Sequence, residues 1–296
     1  MKRLVPLALC FAIGCQAVAT EQAPVGFDGA RAWEHLRAQV AIGPRVAGSA
    51  ENAKTRAYIT STLAASGIKT VEQPFEAKTP IGTVKMVNLI ATLPGQRPER
   101  IIIGSHFDTK LFKQFRFVGA SDAASSTAAL LELGRALKDR PRPFTIELLF
   151  LDGEEAVFDW SATDSTYGSR HYVQNAKATG SLQGIKAFIL LDMIGDRDLN
   201  IRREQNSTRW LTDIVWSTAA RLGHQRQFLP EITPIEDDHL PFLEAGVAAV
   251  DIIDLDYAAW HTADDTLENV SQQSVKIVGD VVLAALSEIE KYLAKN

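Results

Sequence analysis

The sequence predicts an α/β fold: one three-layer α/β/α domain on a central mixed, mostly parallel sheet. Three observations carry this. RIIIGSHFD, FTIELLFLD and IKAFILLDMIG are near-continuous apolar runs, the pattern of strands covered on both faces. Segments of helical period alternate with them, as parallel crossovers require. Each run also stops at acidic residues or histidine, and open parallel sheets gather their chemistry at strand carboxyl ends.

At the N-terminus, Lys2 and Arg3 precede the apolar run LVPLALCFAIG, a secretory leader pattern too short for a membrane span. Two cleavage readings stand. AIGC resembles a lipobox that would leave a lipid anchor on Cys15, and AVA, ending at Ala19, fits small-x-small processing. The expected division is therefore a leader over 1–19 and a single domain over 20–296, exported to the periplasm or beyond. Cys10 and Cys15 are the only cysteines, so the mature domain has no internal disulfide, thiol nucleophile or thiolate ligand. A net charge of -5 leaves no basic footprint and excludes nucleic acid as the expected partner.

After a short tether, FDGARAWEHLRAQVAI has helical spacing, with Phe27, Trp33, Leu36 and Val40 on one face. ENAKTRAYITSTLAASG is a helix closed by Gly67. TVEQPFEA, VKMVNLIATL and RIIIGSHFD are strands, and the turn residues of PGQRPE predict a hairpin between the last two. SSTAALLELGRALKD, YGSRHYVQNA and STRWLTDIVWSTAARLG are helices. VAAVDIID is a further strand, and SVKIVGDVVLAALSEIEKYLAK closes the chain as a long helix.

FTIELLFLDGEE ends a buried strand on two adjacent glutamates, Glu154 and Glu155, with Trp160 soon after. Like charges side by side need compensation, and a cation is the direct one. His106 and Asp108 end one strand, Asp192 another. Asp122 sits in a small-residue loop before a helix, and His261 lies beyond the last strand. Each alone is ordinary. Together, five distant segments deliver His, Asp and Glu to one sheet edge. Asp122, Glu155 and His261 make a natural zinc set of two carboxylates and one imidazole, with one position left open. Adjacent side chains after a strand diverge, so Glu154 stays free as a general base, its pKa raised by burial beside Glu155.

Taken together, HFDTK, GASDAASSTA, FLDGEE, LLDMIG and WHT resemble the zinc-dependent aminopeptidase superfamily over nearly the whole mature chain. Within it, DGEEAVFDWSATDSTYGSRH, IEDDHLPFLEAGV and WHTADDTLENV resemble the glutaminyl-peptide cyclotransferases. The resemblance implies a zinc-aminopeptidase-like fold and one Zn2+ per chain on Asp122, Glu155 and His261. Glu154 is the implied acid/base, and Asp192 and Asp237 the acidic residues at the reaction centre. Trp160, Trp260 and His106 are implied in the substrate pocket. His106 with Asp192 retains a second metal position, as in two-metal peptidases. The implied substrates are peptides with N-terminal glutamine, cyclised to pyroglutamate with loss of ammonia. The alternatives are a two-metal secreted aminopeptidase and a non-catalytic peptide-binding lipoprotein. Any membrane contact is expected only through a lipid on Cys15.

His35, His171 and His224 lie on helical patterns and read as structural or surface residues. His239 reads as orienting a carboxylate from behind the site, or as packing. Asp251, Asp254 and Asp256 read as an acidic loop, solvated or lining the entrance, with calcium binding as the alternative. Asp164 and Ser165 read as a turn and a helix cap.

Overall fold

The structure is a computed structural model in which Met1 and residues 26–295 are described; the expected leader, with Cys10, Cys15 and Ala19, lies outside the described residues. The strands are β1 (Thr70–Thr79), β2 (Gly82–Leu93), β3 (Arg97–His106), β4 (Phe144–Leu151), β5 (Ile185–Asp192), β6 (Ile201–Glu204), β7 (Phe228–Thr233) and β8 (Ala249–Ile253). The helices are α1 (Gly29–Ile42), α2 (Ala50–Ala65), α3 (Ser126–Leu137), α4 (Tyr167–Ala178), α5 (Arg209–Arg221), α6 (Leu240–Glu244) and α7 (Gln272–Lys295).

The main sheet has six strands in the order β1-β2-β4-β3-β5-β8. β4, β3, β5 and β8 run parallel, while β1 and β2 are antiparallel additions at one edge. Strand alternation divides the apolar residues between two helical layers. Ile101, Ile103, Leu148, Phe150, Ile189 and Ile252 face a core shared with α1, α2, α3, α5 and α7. Ile102, Leu149, Leu151, Phe188 and Leu190 face the other core, under α4 and α6. The predicted helices and long strands are all present.

Two expectations are corrected. β2 and β3 do not form a hairpin, because β4 lies between them. Every residue of β4 is buried, so it needs strands on both sides. The Pro-Gly turn instead pairs with the entry to β4: Gly95 N donates to Thr145 Oγ1 at 3.1 Å and Arg97 N to Pro143 O at 2.9 Å. The true hairpin joins β1 to β2, with Thr79 opposite Gly82. The expected acidic loop also dissolves. Asp251 lies inside β8 and is 0% exposed, Asp254 is buried, and Asp256 pairs with Arg202.

Phe188 and Phe242 join the sheet to α6, with stacked rings 3.9 Å apart. Opposite them, a Cβ added to Gly104 would lie 2.5 Å from the Phe188 ring, so glycine makes room for the aromatic. Phe188→Ala should cost about 3–5 kcal/mol, read as a lower denaturant midpoint with unchanged slope.

Candidate active site

The site forms along the carboxyl edge of the parallel strands. After β4 the chain turns through Gly153, at φ +73, where a Cβ would meet Met86 Sδ at 2.4 Å. Asp108, just beyond β3, fixes the two glutamates after this turn. Its Oδ1 accepts from Glu154 N at 3.1 Å and its Oδ2 from Glu155 N at 3.3 Å. On the other side, Thr166 N donates to Glu154 O at 2.7 Å and Tyr167 N to Gly153 O at 2.8 Å. Both backbones are pinned, and the two glutamate side chains are held apart. Glu155 Oε1 accepts from Lys110 N at 3.1 Å and lies 3.4 Å from His261 Nε2.

Asp122 sits in a wound turn, Ala120–Ser125, and its peptide bond to Ala123 is cis. Asp265 holds this turn: it accepts from Ser121 N at 2.8 Å, Asp122 N at 3.2 Å and the Tyr257 hydroxyl at 2.8 Å. Asp122 thereby bridges two imidazoles, with Oδ2 3.3 Å from His261 Nε2 and Oδ1 3.2 Å from His106 Nε2. Ligand atoms of Asp122, Glu155 and His261 all lie within 4.8 Å of one another. A second group, His106, Asp122 and Asp192, meets the same criterion.

His261 takes φ +53, unusual for a non-glycine residue. Phe117 meets its ring edge-on at 5.9 Å and Trp260 stacks on it at 4.5 Å. Burial disfavours the charged ring, but the carboxylates of Asp122 and Glu155 outweigh it and push His261 up to about 9. The pair therefore demands positive charge at this point. A divalent cation supplies it, and an oxygen, oxygen, nitrogen donor set with the Nε2 aimed inward suits zinc.

Above this group lies a cavity of about 410 Å³ whose lining includes Glu154, Asp192, Asp237, Trp160, Trp260 and His261. Burial pushes the Glu154 carboxyl well up; His106 opposes that shift, and Asp237 and Glu155 add to it. Asp237 is buried with no hydrogen-bond partner for Oδ2 among the described residues. His106, expected in the pocket wall, is corrected: it is 1% exposed and lies beneath the cavity rather than lining it. Its Nε2 sits 3.1 Å from Asp192 Oδ1, and its Nδ1 lies 3.8 Å from Glu154 Oε2. Apolar β3 carries it into the floor of the site.

Several residues carry roles that residue type and spacing do not announce. Asp265 is one, and Asp108, legible only as the end of a strand, is another. Buried Arg45 donates to Phe107 O at 3.1 Å and Gly119 O at 2.9 Å, tying together the loops after β3. His239 does contact a carboxylate, with Nε2 3.0 Å from Glu204 Oε2, deep behind Asp237. Ser165 is not the expected helix cap, but Asp164 does end a turn, its N donating to Ser161 O at 3.2 Å. Asp164 accepts from Val157 N at 2.8 Å and Phe158 N at 2.9 Å, closing the loop that carries Trp160, while Thr166 occupies the cap position of α4.

Buried acids away from the donor group contribute to the pH response of the fold. Burial pushes Asp254 from 3.8 up to about 6 and Asp238 from 3.8 up to about 7. Unfolded, each ionises near 3.8; folded, each keeps its proton to the higher value. Between those limits the native state binds more protons, so this stability is full below 3.8 and is lost as pH rises to about 6 for Asp254. Tm should fall across that window, and Asp254→Asn should show a shallower fall in the same scan.

A parallel sheet with a carboxylate-rich donor set at its carboxyl edge defines the class: an α/β enzyme of the metallopeptidase type. The family model for peptidase family M28 matches residues 88–286. A mouse glutaminyl-peptide cyclotransferase-like protein is 32% identical, over 88% of this chain and 76% of its own length. The Drosophila melanogaster glutaminyl-peptide cyclotransferase is 30% identical over 78% of this chain and 73% of its own. Among solved structures, a glutaminyl cyclase from an Acidobacteriales bacterium superposes with TM-score 0.87 at 40% identity, over 94% of this chain and all of the other. A Zn-dependent exopeptidase from Parabacteroides distasonis gives TM-score 0.81 at 26% identity, over 89% of this chain and 99% of the other. The chain belongs to peptidase family M28 and, within it, to the glutaminyl-peptide cyclotransferases.

Proposed function

We propose that this enzyme converts the N-terminal glutamine of peptides to pyroglutamate and releases ammonia, as a zinc-dependent acyltransferase. The observation that carries this reading is the split between neighbours. Glu155 joins the converging donor group, while buried Glu154 faces the cavity outside it.

Asp122, Glu155 and His261 would hold one zinc ion, which when bound polarises the side-chain amide as a Lewis acid. The α-amine and the amide carbon belong to one molecule, so their effective molarity is already high. Glu154 takes a proton from the attacking amine and returns one to the departing nitrogen. Burial raises its pKa well above the ordinary carboxylate range, which suits a group that must take up a proton and then give it back. The unpartnered Oδ2 of Asp237 accepts from a substrate nitrogen, and Asp192 steadies the same region through His106. Trp160 and Trp260 border the cavity and limit the water that would compete with the amine.

The cluster of His106, Asp122 and Asp192 favours a second reading, a two-metal aminopeptidase. One assay separates the two. The zinc-loaded protein is incubated with a Gln-initiated peptide and followed by ammonia release and mass. The cyclase reading expects loss of ammonia from an intact peptide. Release of free glutamine would overturn it in favour of the peptidase. An unchanged peptide would overturn both and favour a binding protein. Export belongs to the same proposal, with either a lipid on Cys15 or cleavage after Ala19, and mass analysis of the mature N-terminus separates the two.

A further inference from the structure

The cavity has two chemically distinct ends. Its inner end holds the buried carboxylates that act on the glutamine. Its rim carries Asp159 and Glu236, both exposed and both without an ion-pair partner among the described residues. Beside them stand three large rings that a soluble surface would ordinarily cover: Phe158 at 55%, Trp160 at 38% and Trp260 at 42% exposure. Lys110 does not neutralise this rim. Its ammonium donates to Ala156 O at 2.7 Å and lies 3.7 Å from Glu155 Oε2.

Resting on the cyclase reading, we propose that this rim is a subsite for a cationic side chain, arginine or lysine, on the residue after the glutamine. The direction of entry places it there. The N-terminal residue must reach Glu154 at the inner end, where the unpartnered Oδ2 of Asp237 meets a substrate nitrogen. The next Cα lies about 3.8 Å further out. Its side chain therefore meets the outer wall, where Glu236 directly precedes Asp237 and where Asp159 lies between Phe158 and Trp160. Unpaired carboxylates beside exposed indole and phenyl faces suit a guanidinium, which combines charge with stacking.

The test compares Gln-Arg-Ala, Gln-Ala-Ala and Gln-Glu-Ala amides as substrates of the zinc-loaded enzyme, at low and high salt. Exposed ion pairs are individually weak, so two of them should raise kcat/KM for Gln-Arg roughly tenfold over Gln-Glu, mainly through KM. High salt should compress the ratio, and Asp159→Asn/Glu236→Gln should bring it within about twofold. Equal kcat/KM for the three peptides, or a ratio that survives either high salt or the double substitution, would overturn the subsite. The salt comparison on the unaltered enzyme decides even where the variant does not fold. Failure to cyclise any of the peptides would overturn the cyclase reading itself.

Discussion

Glu154→Gln should lower kcat for ammonia release by on the order of 10²–10⁴-fold while leaving the fold and zinc content intact. The substitution keeps size and shape and removes only the ability to exchange protons. Glu154 stands outside the converging group of Asp122, Glu155 and His261, so its loss does not remove a metal donor. Its backbone is held by Asp108 and Thr166 whatever its side chain carries. Zinc analysis of the variant and its Tm are the controls. A variant that turned over normally would remove Glu154 from the proton transfer, and one that lost its zinc would place Glu154 among the ligands.

Removal of the metal should have an effect as large, by another route. Chelation should take turnover to background, and added zinc should restore it. His261→Ala should lose activity and weaken zinc binding by more than about a hundredfold, since loss of partners one layer further out already costs roughly 10–100-fold. Without a cation, His261 is drawn up to about 9 and competes as a proton acceptor for the place of the ion. Zinc affinity should therefore fall as pH drops and the ring protonates. Titration with a zinc indicator at several pH values reads this directly.

The parallel core was legible because RIIIG, FTIELLFL and IKAFILL are too apolar to lie anywhere but between two layers. Glu155 was legible for the same reason, since it stands just where such a strand stops; Asp122 and His261 were legible only as an acid and an imidazole in the loops that follow β3 and β8. Strand order was not. The placement of β4 between β2 and β3 depends on pairing between segments distant in sequence, which the local turn residues do not report. β6, β7 and α6 span only four to six residues each, too few to show a period. The anchoring carboxylates escaped for a different reason. Asp108 and Asp265 act on backbone N–H groups of segments distant in sequence, and residue type alone does not mark such a role. Asp251 misled because a carboxylate inside a fully buried strand departs from ordinary burial preference.

The most direct measurement is an anomalous diffraction map at the zinc edge from crystals of the zinc-loaded enzyme. One peak is expected, bounded by the side chains of Asp122, Glu155 and His261, with Glu154 facing the cavity and free of the metal. A peak bound by Glu154, or equal occupancy at a second position on His106 and Asp192, would contradict it.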